Sequence, residues 1–192
     1  MMDFLRMSQR ILGLAIAASF LTLIPNSHAL DGITRLHLRA AGRGQTTISL
    51  THNRATVVVF VATDCPMSMD YGQRMGQLDK EYATQGVQVI LVDSNRNETD
   101  AAVEKVRKAL NITTPIYRDP SASVAQLLTA IVTPTAVVLD AAGAIRYTGN
   151  IDDSRDPAKV RTHFVRAAVE SVLNGLPVQV PHTRVLGCSI KR

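Results

Sequence analysis

An α/β fold, with a mixed central sheet and helices on both faces, is what the amino-acid sequence predicts. Three observations carry that expectation. The run TVVVFVA (56–62) is continuously apolar with strong β-propensity, the pattern of a strand buried on both faces, and VQVILVD (87–93) reads as a second buried strand. A helical pattern separates them, which implies a parallel pair joined by a crossover. TAVVLD (135–140) and AIRYTG (144–149) flank a short turn containing Gly143, which reads as a hairpin and adds an antiparallel part.

The N-terminus reads differently from the rest. Arg6 and Arg10 precede the apolar run ILGLAIAASFLTLI, and Ser27 and Ala29 follow in a small-x-small pattern. This is the layout of a secretory signal peptide over residues 1–29. The run is shorter than the roughly 20 apolar residues of a spanning helix; an uncleaved N-terminal membrane anchor is the alternative. No cysteine lies near residue 29, which argues against a lipid-anchored lipoprotein. The expected organisation is therefore a domain over 30–176 and a C-terminal tail over 177–192 carrying Cys188, in the periplasm or secreted.

The whole chain carries a net charge of +5; the leader holds Arg6, Arg10 and Asp3, which leaves +4 on the remainder. The charges are interspersed, aromatic residues make up 4% and Trp is absent. That composition gives no nucleic-acid surface and, after cleavage, no stable membrane association.

The elements follow in order. LHL and TISL within 31–50 are short strand candidates. After the first long strand, Pro66 occupies a first-turn position, where its missing N–H is not needed. Met69, Met75, Leu78 and Tyr82 then recur at helical spacing, and Gly86 ends the helix. Asn97 or Thr99 caps a helix over 101–110 with Val103, Val106 and Leu110 inward. TPIYRD (114–119) is extended. SASVAQLLTA (121–130) is a short helix with Val124, Leu127 and Leu128 inward. Beyond the hairpin, Asp156 caps a helix that starts at Pro157 and runs to Gly175. The tail is irregular.

Taken together, the strand-TDCP-helix join at 57–66, the sequence Val132-Thr133-Pro134-Thr135 just before a hairpin, and the βαβα…ββα order resemble the thioredoxin-like superfamily. Within it the chain is similar to the redoxin branch, related to the alkyl hydroperoxide reductase and thiol-specific antioxidant proteins. The tail, a GxP followed by TRxxGCSIK, is similar to exported redoxin-domain proteins. The resemblance implies a thioredoxin-like fold and a thiol-disulfide oxidoreductase with Cys65 as nucleophile. It implies a cis proline at Pro134, with Thr133 aligning an extended substrate strand by β-type pairing. Pro66 and Ser68 flank the substrate site. Its partners would be protein thiols or disulfides and a reductant system; no organic cofactor is implied.

The residues add their own argument. Cys65 sits where the first free N–H groups of a helix point, and those donors with the helix dipole favour a thiolate. The carboxylate of Asp64 works against it. A buried, inert cysteine is the plain structural alternative. The CxxC pattern of a dithiol site is broken, because Ser68 stands at the second position and cannot form a disulfide. Cys188 is a candidate resolving thiol; the pair could exchange reversibly, form a permanent bridge, or stay unpaired. A peroxiredoxin would carry Thr where Ala62 stands and Pro where Val58 stands, so the alternative of a thiol peroxidase acting on small peroxides lacks its orienting groups. Met67, Met69 and Met75 all lie within ten residues of Cys65. With His52, His163 or His182 they raise a second alternative, a Cu(I) chaperone of the cytochrome oxidase assembly type. Packing of these methionines in the core is the simpler reading, and no metal is expected.

Overall fold

The computed structural model describes residues 32–192; the expected signal peptide over residues 1–29 lies outside the described residues. Among the described residues no helix is long and apolar enough to cross a membrane. The chain forms β1 (Arg35–Ala40), β2 (Gly44–Ser49), β3 (Ala55–Val61), α1 (Pro66–Tyr82), β4 (Val87–Asp93) and α2 (Asp100–Ala109). It continues through β5 (Ile116–Arg118), α3 (Ser123–Leu127), β6 (Val132–Thr133), β7 (Thr135–Asp140), β8 (Ile145–Gly149), α4 (Phe164–Leu173) and β9 (Cys188–Ser189).

Seven strands form one sheet in the order β2-β1-β5-β4-β3-β7-β8. β3 and β4 are parallel in full register from Ala55↔Val87 to Val61↔Asp93, and β4 pairs in parallel with β5. β7 is antiparallel to β3 and to β8, and the β1–β2 hairpin adds to the β5 edge. This is the mixed sheet that the sequence predicts. Alternation along the central strands splits the core in two. Val57, Val59 and Val61 of β3 face Met75, Leu78 and Tyr82 of α1 and Val165, Ala168 and Val169 of α4. Val58 and Phe60 face Val124, Ala125 and Leu128 around α3, together with Leu36 and Leu38 of β1. Every residue of β3 is buried, as a central strand covered on both sides must be.

Local chemistry sets the boundaries. Thr99 caps α2, its hydroxyl accepting from the Ala102 N–H at 3.2 Å. Gly143 takes φ +76° in the β7–β8 turn. Two expectations are corrected. Leu127 is not inward: it is 51% exposed, because α3 ends there after only five residues. The long helix from Pro157 is interrupted. Asp156 caps only a single 3-10 turn over Pro157–Lys159, and Val160 is extended at φ −67°, ψ 124°. The backbone there turns to Asp153, whose carboxylate accepts from the Arg161 N–H and whose N–H donates to the Thr162 carbonyl, both at 3.0 Å. α4 begins only at Phe164, so His163 precedes the helix rather than lying on it.

Candidate functional site

β3 ends at Val61 and the chain reaches Cys65 through one turn, in which the Cys65 N–H donates to the Ala62 carbonyl. Cys65 is the N-cap residue of α1, extended at φ −100°, with Pro66 in the first turn. Its own carbonyl accepts from the Met69 N–H at 3.2 Å. The sulfur therefore stands at the positive end of a helix of 17 residues, and no side chain caps that end. Ser68 is fully buried beneath it, and its hydroxyl accepts from the Ala62 N–H at 3.2 Å. The serine braces the cysteine turn.

The second part of the site is β6. The Thr133-Pro134 peptide bond is cis, as the resemblance implies. The carbonyl of Thr133 lies 3.3 Å from Cys65 Sγ. Thr133, Pro134 and Cys65 are all buried, so the cysteine and the proline strand face each other at the end of the sheet.

Cys188 completes the site. It is bonded to Cys65 across 123 residues with 5.9 Å between the Cα atoms. It lies in β9, which pairs antiparallel with β6: Thr133 is opposite Cys188 and Val132 opposite Ser189. The tail, irregular in sequence, is docked along its length. The Thr183 hydroxyl meets Tyr147 Oη and the Asn150 N–H, both at 2.8 Å, and the Thr148 N–H donates to the Pro181 carbonyl at 3.0 Å. The Ile190 N–H donates to the Ile131 carbonyl at 3.0 Å, and its side chain joins the α3 face of the core. Lys191 donates its N–H to Asn95 Oδ1 at 2.8 Å, accepts from the Arg96 N–H at 2.9 Å, and pairs its ammonium with Asp64. That contact settles where Asp64 points: its exposed carboxylate is engaged by the tail, and it raises the Lys191 pKa.

Behind the cysteine turn lies an acid pair that the sequence did not single out. Asp93 ends β4, fully buried; the Arg118 guanidinium reaches one of its oxygens at 2.6 Å and the Asn95 N–H donates to the same oxygen at 2.9 Å. The other oxygen meets no N–H or O–H donor. Burial, then the hydrogen bond to Glu98 and repulsion from it, push the Asp93 carboxyl up to about 8 despite Arg118. Burial works against ionised Glu98, yet hydrogen bonds from Asp93, Thr63 and Asn95 outweigh it and hold its pKa below the ordinary range. The Glu98 carboxylate accepts from the Thr63 N–H at 2.9 and 3.0 Å and from Asn95 Nδ2 at 2.9 Å. One carboxylate is thus tied both to the loop before Cys65 and to the asparagine that holds the tail. The available signal was an Asp closing an otherwise apolar strand.

The methionines divide. Met75 is buried in the core against β3, while Met67 and Met69 are half-buried beside the site. No cluster of three or more His, Cys, Asp or Glu residues that could hold a metal ion occurs among the described residues. His163 pairs with Asp152 at 2.8 Å, in contact with neither cysteine. A cavity of about 590 Å³ lies by the β1–β2 turn and α2 and includes neither cysteine.

Comparison with known proteins supplies the family. The redoxin family pattern matches residues 24–163. The chain belongs to the redoxin family. No curated protein matches it. Among solved structures it is similar to a hypothetical protein from Sinorhizobium meliloti, with 30% identity, a TM-score of 0.70, and coverage of 82% of this chain and 90% of that one. It is also similar to an uncharacterised conserved protein from Geobacillus kaustophilus, with 25% identity, a TM-score of 0.73 and coverage of 82% and 88%. A protein provisionally named thiol:disulfide interchange protein DsbE, from Chlorobium tepidum, shares the fold at 17% identity and a TM-score of 0.61, over 74% of this chain and 96% of that one. The fold of this redoxin is thioredoxin-like.

Proposed function

We propose that this redoxin is an extracytoplasmic thiol-disulfide oxidoreductase in which Cys65 is the nucleophile and Cys188 the resolving thiol. The observation that carries the reading is the Cys65–Cys188 disulfide, set between a helix N-terminus and the cis-Pro134 strand. In the reduced protein the α1 N-terminus favours the Cys65 thiolate. That thiolate attacks one sulfur of a partner disulfide; the partner's other sulfur leaves as a thiolate and takes up a proton. Cys188 then attacks Cys65 Sγ, the Cys65–partner bond breaks, and the partner departs as a dithiol. The chain is left with its own disulfide. Re-reduction needs a dithiol reductant. Cys188 is the partly exposed member of the pair and Cys65 the buried one. Attack at Cys188 expels Cys65 as the stabilised thiolate, so electrons arrive through one sulfur and leave through the other. The acid pair Asp93–Glu98, hydrogen-bonded to the loop before Cys65, is placed to hold and return protons near the turn.

The leader pattern supports export, and an oxidising compartment is where such a pair persists without a constant reductant. The test is mass mapping of the purified protein. A Cys65–Cys188 linkage that a mild dithiol opens and a disulfide substrate re-forms is the expected result. Two thiols that stay free in the presence of disulfide substrate would overturn the reading.

A further inference from the structure

The tail does more than carry a thiol. β9 lies on β6 as an antiparallel strand, with Cys188 opposite Thr133. That is the edge on which the exchange reading requires a substrate strand to align. The contacts are those of an extended peptide on a sheet edge: the Ile190 N–H on the Ile131 carbonyl at 3.0 Å, and the Thr133 hydroxyl on the Cys188 carbonyl at 3.4 Å. Resting on that reading, we propose that residues 187–191 occupy the substrate groove as a built-in copy of the substrate. The partner is then an extended, cysteine-bearing polypeptide segment of the same side-chain pattern.

The tail specifies the pattern. The position before the cysteine must be glycine, because a Cβ on Gly187 would overlap the Thr133 carbonyl oxygen and sit 2.8 Å from its carbon. The cysteine itself meets Cys65. Ser189 is exposed, so the next position is free. The position after that is apolar, since Ile190 is only 8% exposed and packs on the α3 face of the core. The following position is basic, because Lys191 meets Asp64. Gly-Cys-x-apolar-basic is the segment this edge is shaped to hold. Ile131, 66% exposed beside the groove, offers further apolar surface to a partner longer than the tail.

Tail and partner then compete for one edge. Reduction of the Cys65–Cys188 bond by a dithiol frees the tail to leave, and the partner strand takes its place. After the mixed disulfide forms, the tail returns, Cys188 attacks Cys65 Sγ, and re-pairing of β9 with β6 displaces the partner strand as its thiolate is released. Strand displacement and resolution become one event.

The full chain carrying Cys188→Ser tests this. It is mixed with a ten-residue peptide copying residues 183–192, whose cysteine is activated as a mixed disulfide with thionitrobenzoate. The Cys65 thiolate attacks the peptide sulfur and releases the chromophore. A second peptide carries Val at the glycine position, and activated free cysteine is the reference. The glycine peptide is expected to react about tenfold faster than the other two, the gain of one or two net hydrogen bonds. In the chain carrying both Cys188→Ser and Gly187→Val its own tail cannot dock, and the glycine peptide is expected to react several-fold faster again. Equal rates for all three reagents, or no effect of Gly187→Val, would overturn the groove assignment and leave exchange at Cys65 standing. No reaction with any reagent would overturn both.

Discussion

Two regions meet in one disulfide and are built in opposite ways. Cys65 belongs to the β3–α1 junction, where each neighbour is fixed by core packing: β3 is buried throughout, and Met75, Leu78 and Tyr82 seat α1 on it. Cys188 belongs to a tail held by backbone hydrogen bonds, side-chain hydrogen bonds through Thr183 and Asn95, one buried isoleucine and an exposed ion pair. On the proposed reading the first region opens only with the domain, whereas the second is expected to open while the domain stays folded. On the proposed exchange reading, a thiol pair that breaks and re-forms calls for this asymmetry: one sulfur stays at the helix end and the other moves with the tail.

The sharpest way to break the comparison is to exchange the two losses. Cys65→Ser is expected to abolish reaction with a disulfide peptide entirely. Cys188→Ser is expected to keep the first attack and accumulate the mixed disulfide, read by mass. Equal losses in both variants would mean that the regions are not functionally distinct.

Next is the bond itself. Closing a loop of 123 residues constrains the unfolded chain by about 5 kcal/mol on the loop-entropy estimate. Reduction is therefore expected to lower the unfolding midpoint substantially while the far-UV spectrum at low temperature is unchanged. A reduced protein that loses its secondary structure would show that the tail is part of the fold rather than a strap on it.

Packing gives the third contrast. Phe60, wholly buried in β3, is expected to cost about 3–5 kcal/mol as Ala. Ile190→Ala is expected to cost about 2 kcal/mol, because the tail can settle into the space left. Denaturant unfolding of the two oxidised variants measures the difference; an equal cost would place the tail in the core proper.

The last contrast is a slope. The folded chain holds the Asp93 proton up to about 8, whereas a free carboxyl releases it near 3.8. Folding therefore takes up a proton between those values, and this contribution to stability is present below the lower one and lost as pH rises through the upper. Asp93→Asn is expected to flatten the fall in stability across that window, as read from unfolding midpoints at several pH values. An unchanged slope would show that Asp93 is ionised against Arg118.

Much of the junction was legible in the sequence because its determinants are local. A β-branched run marks β3 and Pro66 marks the first turn of α1, while the cis bond at Thr133-Pro134 was implied by the family resemblance. The break at Val160 was not legible, since the competing partner is Asp153, seven residues earlier. Leu127 misled because apolar spacing gives a face only while a helix lasts, and α3 stops there. Asp93 and Glu98 were missed because strand and loop periodicity do not reveal which carboxyl groups are brought together behind the cysteine turn.

The sequence by itself determined the order of the main strands and helices, the buried central strands and the place of Cys65 at a helix start. These follow from side-chain periodicity and backbone preference, which act over a few residues. Only the tertiary structure decided that Cys188 meets Cys65, that β9 lies on the proline strand, and that Gly187 is the residue allowing it. Contacts across 55 to 123 residues depend on the packed surface the tail meets, and no local pattern encodes that surface.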